Sequence, residues 1–266
     1  MIALDDIGAG EALVLLHGVG ASRAIWRHAT PLLSGRRVLA PDLPGLGDSP
    51  PAGEGFDLDA VAAALADGLA ARTGGAPFDL VGNSLGGAVA IVLAHRRPDL
   101  VRRLVLAAPA GLAPRRAALA RAGGFAGAGL LAARRLAGAP LAGSAAARRV
   151  LLWGTVADPG ALPAADARAM FAASAGARRL GPALATAIAA DLRPMLGALR
   201  VPVGVLWGEC DGVIPIAGLE TLRVAVPDLA VERLPGLGHV PQVECPEAFV
   251  AALRRLLDRV GAVTSS

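Results

Sequence analysis

Six short apolar runs separated by helical patterns limit the folds open to this chain more than any other feature. They are ALVLLHG (12–18), RRVLAPDLPG (36–45), FDLVGNS (78–84), VRRLVLAAPAG (101–111), VPVGVLWGECD (201–211) and LAVERLPGLGH (229–239). Between them, residues 22–33, 57–73, 85–98, 215–228 and 245–260 carry helical spacing of apolar positions, with Ser22 and Asp57 or Asp59 as helix starts and Pro98 as a stop. Near-continuous apolar strands alternating with helices predict an α/β fold, with a mostly parallel sheet covered by helices on both faces. In such sheets ligands sit outside the carboxyl ends of the strands. The loops that matter then begin at His17, Asp42, Gly82, Ala108, Gly208 and Leu234.

The alternation stops over residues 112–198. That stretch is rich in Ala, Gly and Arg, shows no strand pattern, and reads as several short helices inserted into a core formed by 1–111 and 199–266. Residues 112–200 hold twelve arginines against three acids, whereas the rest of the chain is net acidic. A basic segment of this kind suits an anionic substrate or a membrane surface, and equally the wet faces of amphipathic helices. Aromatic residues are only 3% and tyrosine is absent, so a base-stacking nucleic-acid platform is not expected. Two isolated cysteines, Cys210 and Cys245, offer neither a disulfide framework nor a zinc site. The N-terminal MIALDDIG carries acids where a signal peptide needs positive charge, and the longest uncharged stretch (80–95) falls short of a membrane span. A cytoplasmic protein, monomer or homo-oligomer, is expected.

One strand end carries GNSLGG (82–87), a G-x-S-x-G motif after a strand and at the start of a helix. A sharp strand-to-helix turn strains the backbone at Ser84, and glycine neighbours let strand and helix approach. A serine hydroxyl is a weak nucleophile until a base takes its proton and an acid orients the base. Of the four histidines, His239 follows a late strand and reaches the same sheet edge; His28 and His95 lie in helical patterns, and His17 opens HGVG. Asp211 follows another strand, ahead of Gly212 and Pro215, with Glu209 as the nearby alternative and helix capping as its competing role. HGVG (17–20) lies where a first-loop backbone N–H, from Val19, and the N–H after the nucleophile, from Leu85, would face a developing oxyanion.

These segments together, VLLHGVG, PDLPGLGDS, VGNSLGGAVA, LVLAAPAG, LWGECDGVIP and LPGLGHVPQVECPEAF, resemble the α/β-hydrolase fold superfamily over nearly the whole chain, in order. The resemblance implies Ser84 as nucleophile, His239 as general base, Asp211 as its partner, Val19 and Leu85 as oxyanion donors, and the 112–198 insertion as a helical lid. It also gives Asp42 and Asp48 a structural turn near the pocket. GNSLGG is similar to that of meta-cleavage carbon–carbon hydrolases, which usually carry an aromatic residue after the histidine; here it is Val240. The N-terminus is short enough to omit one or two of the family's usual eight strands. The expected activity is acyl transfer from a small, largely apolar ester-like substrate to water, with no metal or organic cofactor. The same residues would serve a thioester, lactone or carbon–carbon substrate, or a binding protein that keeps the pocket. Val19, Phe125, Trp153, Phe171, Val213 and Val240 are the candidate substrate-binding residues, with ordinary helix packing as the competing role of those in the insertion.

Overall fold

The computed structural model describes the backbone of residues 1–112 and 124–262 and the side chains of 1–112 and 129–260. Seven strands appear among these residues: β1 (Leu4–Gly8), β2 (Glu11–Leu16), β3 (Arg36–Pro41), β4 (Phe78–Asn83), β5 (Val101–Ala107), β6 (Val203–Gly208) and β7 (Ala230–Leu234). They form one sheet in the order β1-β3-β2-β4-β5-β6-β7, parallel throughout except for β1, which runs antiparallel along β3. The six apolar runs thus become six parallel strands. β1 has no apolar signature because four of its five residues are exposed at the sheet edge.

The two-residue period of the strands builds two cores. Val14 and Leu16 join Leu80, Leu104 and Leu106 on one face. Leu13 and Leu15 join Val81, Val105 and Leu206 on the other. The first face is covered by α1 (Leu58–Thr73) and α2 (Leu85–Arg96). Asp57 caps α1 by accepting the Ala60 N–H at 2.8 Å, and Gly74 ends it in the left-handed region. The last helix, Pro246–Ala262, covers the second face with Phe249, Val250 and Leu253, and Phe249 meets Trp26 with ring centroids 5.8 Å apart.

Residues 22–33 do not form the helix that their spacing suggests. They make two 3-10 turns, Arg23–Trp26 and Thr30–Leu32. Pro31 cannot continue a helical ladder, and the Arg23 N–H is taken by Asp42 Oδ1 at 2.6 Å, while Ser22 makes no side-chain cap bond.

Between β5 and β6 the chain leaves the sheet. In this insert lie α3 (Gly124–Leu141), α4 (Ala145–Leu151), α5 (Ala164–Gly176), α6 (Leu180–Ala189) and α7 (Arg193–Leu196). After β6 come α8 (Gly218–Ala225), then β7, α9 (Pro241–Glu244) and α10 (Pro246–Ala262). No helix among the described residues is long and apolar enough to cross a membrane.

Candidate active site

Ser84 sits between β4 and α2 with φ 57° and ψ −119°, a conformation that costs a non-glycine residue roughly 1–3 kcal/mol and persists only when surroundings enforce it. The Ser84 N–H donates to the Ala107 carbonyl at 3.0 Å, and its own carbonyl accepts from Gly87, Ala88 and Ala110. Close approach completes the turn. A Cβ at Gly86 would stand 2.6 Å from the His17 carbonyl oxygen, so a side chain there would push β2 away from the helix start. The HGVG loop abuts the serine itself: a Cβ at Gly18 would lie 3.0 Å from Ser84 Cβ and 3.5 Å from its Oγ. Val19, next in that loop, is half-buried, and Leu85 is fully buried as the first residue of α2.

His17 holds this loop in place. It is fully buried between two backbone groups: its Nδ1 bonds the Gly18 carbonyl at 2.9 Å, and its Nε2 accepts the Leu43 N–H at 3.0 Å. Only a neutral ring protonated at Nδ1 serves both. Burial drives its pKa below the ordinary histidine value in the same sense. Asp42, also fully buried, ties the next loop to the first through Arg23 and the Asp48 N–H.

Asp211 and His239, 28 residues apart, meet at the ends of β6 and β7. His239 Nδ1 lies 2.7 Å from Asp211 Oδ2, and both residues are buried. Asp211 Oδ1 accepts the N–H groups of Val213 and Ile214, each at 2.8 Å. The capping role and the histidine contact therefore coexist on one carboxylate. Glu209, the alternative acid, instead pairs with Arg233 at 2.9 Å. Ser84 keeps only 6% of its surface exposed.

A strap, residues 154–157, at the end of the turn that follows α4, is bonded to the loops that carry Asp211 and His239. The Gly154 carbonyl accepts the Gly212 N–H at 3.0 Å, and the Thr155 carbonyl accepts the His239 N–H at 2.9 Å. Glu244, at the end of α9, takes the Ala157 N–H at 2.8 Å and the Gly238 N–H at 3.0 Å; burial raises its pKa despite these donors. Arg134 reaches from α3 to the Leu151 carbonyl and, at 2.6 Å, to Thr155 Oγ1. Desolvation alone pushes this guanidinium down to about 10.

Two buried amides of this site, Asn83 and Gln242, are not among the candidate residues that the sequence motifs point to. Asn83, immediately before Ser84, donates from Nδ2 to the Ala107 and His239 carbonyls, both at 3.1 Å, and its Oδ1 accepts from Gln242 Nε2 at 3.1 Å. The end of β4 is thereby bonded to the backbone of His239. An amide in a strand buried on both faces has to find such partners, and that requirement is the one hint available beforehand.

The substrate-binding candidates are scattered. Val240 is buried beside His239, whereas Val213 is half exposed. Phe171 is fully buried in the insert, against Gly138 of α3. Trp153 is 74% exposed and turned to solvent rather than lining a pocket, because it continues the outward face of α4. Phe125 lies outside the residues whose side chains are described. The described residues contain no cluster of three or more histidine, cysteine, aspartate or glutamate side chains fit to hold a metal ion.

The model of the α/β hydrolase fold family matches residues 11–246. The chain belongs to that family. A pimeloyl-[acyl-carrier protein] methyl ester esterase of Aromatoleum aromaticum is 34% identical over 88% of this chain and 93% of its own length. A 2-hydroxymuconate semialdehyde hydrolase of a Pseudomonas species is 43% identical, but over only 41% of this chain and 40% of its own. Among solved structures, a bacterial membrane phospholipase A superposes with a TM-score of 0.77 at 29% identity, covering 97% of this chain and 83% of that one.

Proposed function

We propose that this member of the family is a serine hydrolase that cleaves carboxylic esters of small, largely apolar acyl groups through an acyl-enzyme. One observation carries the reading: the buried 2.7 Å contact between His239 Nδ1 and Asp211 Oδ2, at strand ends neighbouring a strained Ser84. With Nδ1 bonded to a carboxylate, Nε2 is the nitrogen left to accept the Ser84 proton, and the carboxylate stabilises the imidazolium that forms. Ser84 Oγ attacks the ester carbonyl. The oxyanion forms toward the N–H groups of Val19 and Leu85, the latter outside the ladder of its own helix. His239 then protonates the departing alcohol and activates the water that releases the acid. In this reading the insert is the lid, Val19 and Val240 border the acyl group, and a lid movement admits substrate to Ser84.

The methyl ester esterase likeness, which spans nearly both chains, favours an ester. The local likeness to the semialdehyde hydrolase keeps carbon–carbon cleavage as a second reading on the same residues. Intact mass after exposure to a small fluorophosphonate tests the shared part. One adduct on the wild type and none on Ser84→Ala is expected; equal labelling of both would refute Ser84 as nucleophile. Turnover of short acyl methyl esters against ring-opened dienoate substrates then separates the two readings.

A further inference from the structure

Among the described residues, most of the insert's arginines have no carboxylate partner, and large apolar side chains are exposed beside them. All three of its acids are engaged: Asp166 by Arg27 and His28 of the core, Asp191 by Arg193, and Asp158 by the N–H groups of Gly160 and Ala161 in its own loop. Among the described residues, Arg193 is the only arginine of the insert with a carboxylate partner. The exposed Arg135 and Arg149 have none there. Beside them stand large apolar side chains in water: Leu136 at 83% exposure, Val150 at 66% and Trp153 at 74%. Arg149, Val150 and Trp153 follow one another at helical spacing along one side of α4 and the turn that continues it. The Arg134 bonds to Leu151 and Thr155 bring the neighbouring turn of α3, with Arg135 and Leu136, to the level of Trp153.

We propose that this face of α3 and α4 docks onto an anionic lipid surface, independently of the reaction at Ser84. The arginines supply attraction to lipid phosphates, and the exposed Leu, Val and Trp supply area to bury among the headgroups. Tryptophan is a side chain suited to that boundary. An acidic protein would satisfy the arginines, but it gives less reason to leave three large apolar side chains among them.

The chain carries its own reporter. It has three tryptophans, and Trp26 and Trp207 are fully buried, so Trp153 is the one that meets solvent. Phosphatidylcholine vesicles containing phosphatidylglycerol should shift the tryptophan emission to the blue, and brominated lipid in the same vesicles should quench it. Phosphatidylcholine alone should do neither. Each arginine near an anionic surface is worth about fivefold in affinity, so Arg135→Gln with Arg149→Gln should weaken binding about thirtyfold. Trp153→Phe should remove the spectral change while cosedimentation with anionic vesicles persists. An equal response to both vesicle types, or cosedimentation indifferent to the two arginines, would overturn the proposal. So would silence with vesicles combined with a salt-sensitive shift on polyglutamate, which would assign the face to an acidic protein.

Discussion

Asn83→Ala is the substitution whose consequences the structure specifies most fully. Asn83 is 1% exposed and makes three hydrogen bonds. Their loss is uneven. The Ala107 carbonyl still holds the Ser84 N–H at 3.0 Å. The His239 carbonyl and Gln242 Nε2 lose the partner they have in Asn83. A buried group left unmatched costs about 1–3 kcal/mol, so two of them predict a loss of about 2–6 kcal/mol, reduced where water enters the space. Urea unfolding reads that number. The more diagnostic readout is the rate at which a fluorophosphonate labels Ser84. The His239 backbone would no longer be tied to the strand that carries the serine, and a displacement of about 1 Å at a reacting pair costs about 10²-fold. Asn83→Asp keeps the shape but cannot donate to either carbonyl, so it should label at least as slowly. If Asn83→Ala lost stability but labelled within twofold of the wild type, Asn83 would be a packing residue alone. If stability did not change, the bonding pattern itself would be wrong.

The remaining predictions address other bonds. In Asp211→Asn, the side-chain oxygen can still serve the Val213 and Ile214 N–H groups, which turns the NH₂ toward His239 and forces the wrong ring tautomer; turnover should fall about 10⁴-fold with little loss of stability. Stability and activity falling together would indicate collapse of the loop. At the opposite end of β4, burial would raise the pKa of Asp79, but hydrogen bonds from Arg103, Arg102 and Arg36 overcome it and hold it at about 2. Its contribution is therefore complete above the unfolded value near 4 and is lost as pH falls toward 2; it amounts to about 2–3 kcal/mol. Chemical denaturation across that window should show the loss in the wild type and a flatter profile in Asp79→Asn, and identical profiles would refute the assignment. Arg134→Met removes a guanidinium that burial already disfavours, so thermal stability should stay near that of the wild type while labelling of Ser84 slows. A large loss of stability with undiminished labelling would contradict this.

The sheet was legible because burial on both faces writes itself into a strand as an unbroken apolar run, as in Val203–Gly208. The placement of Ser84, Asp211 and His239 after strand ends was legible for a related reason: each follows an apolar run that reads as a strand of such a sheet. What could not be read depends on partners far away in sequence. Asn83 and His239 are 156 residues apart, and no spacing rule connects them. Residues 22–33 have good helical spacing, but Asp42 captures the Arg23 N–H from another loop. Trp153 and Phe171 look alike as aromatics in an Ala-rich segment. One faces water and the other is enclosed because Gly138 of α3 leaves room for its ring.

The strap gives the insert a part in the site through backbone hydrogen bonds. The N–H groups of His239 and Gly212 each find their acceptor in residues 154–155, and the Ala157 N–H finds its own in Glu244. His239, and the residue that follows Asp211, are therefore bonded to the insert through backbone. A motion that lifted the strap would leave these three N–H groups to be matched by water, or unmatched at about 1–3 kcal/mol each. It would also loosen His239, the base in the proposed reaction. Admission of substrate at another edge of the insert, with the strap left in place, avoids both costs. On that account the Arg134 bond to Thr155 Oγ1 has a purpose despite the desolvation it carries: it fixes the strap to which His239 is bonded.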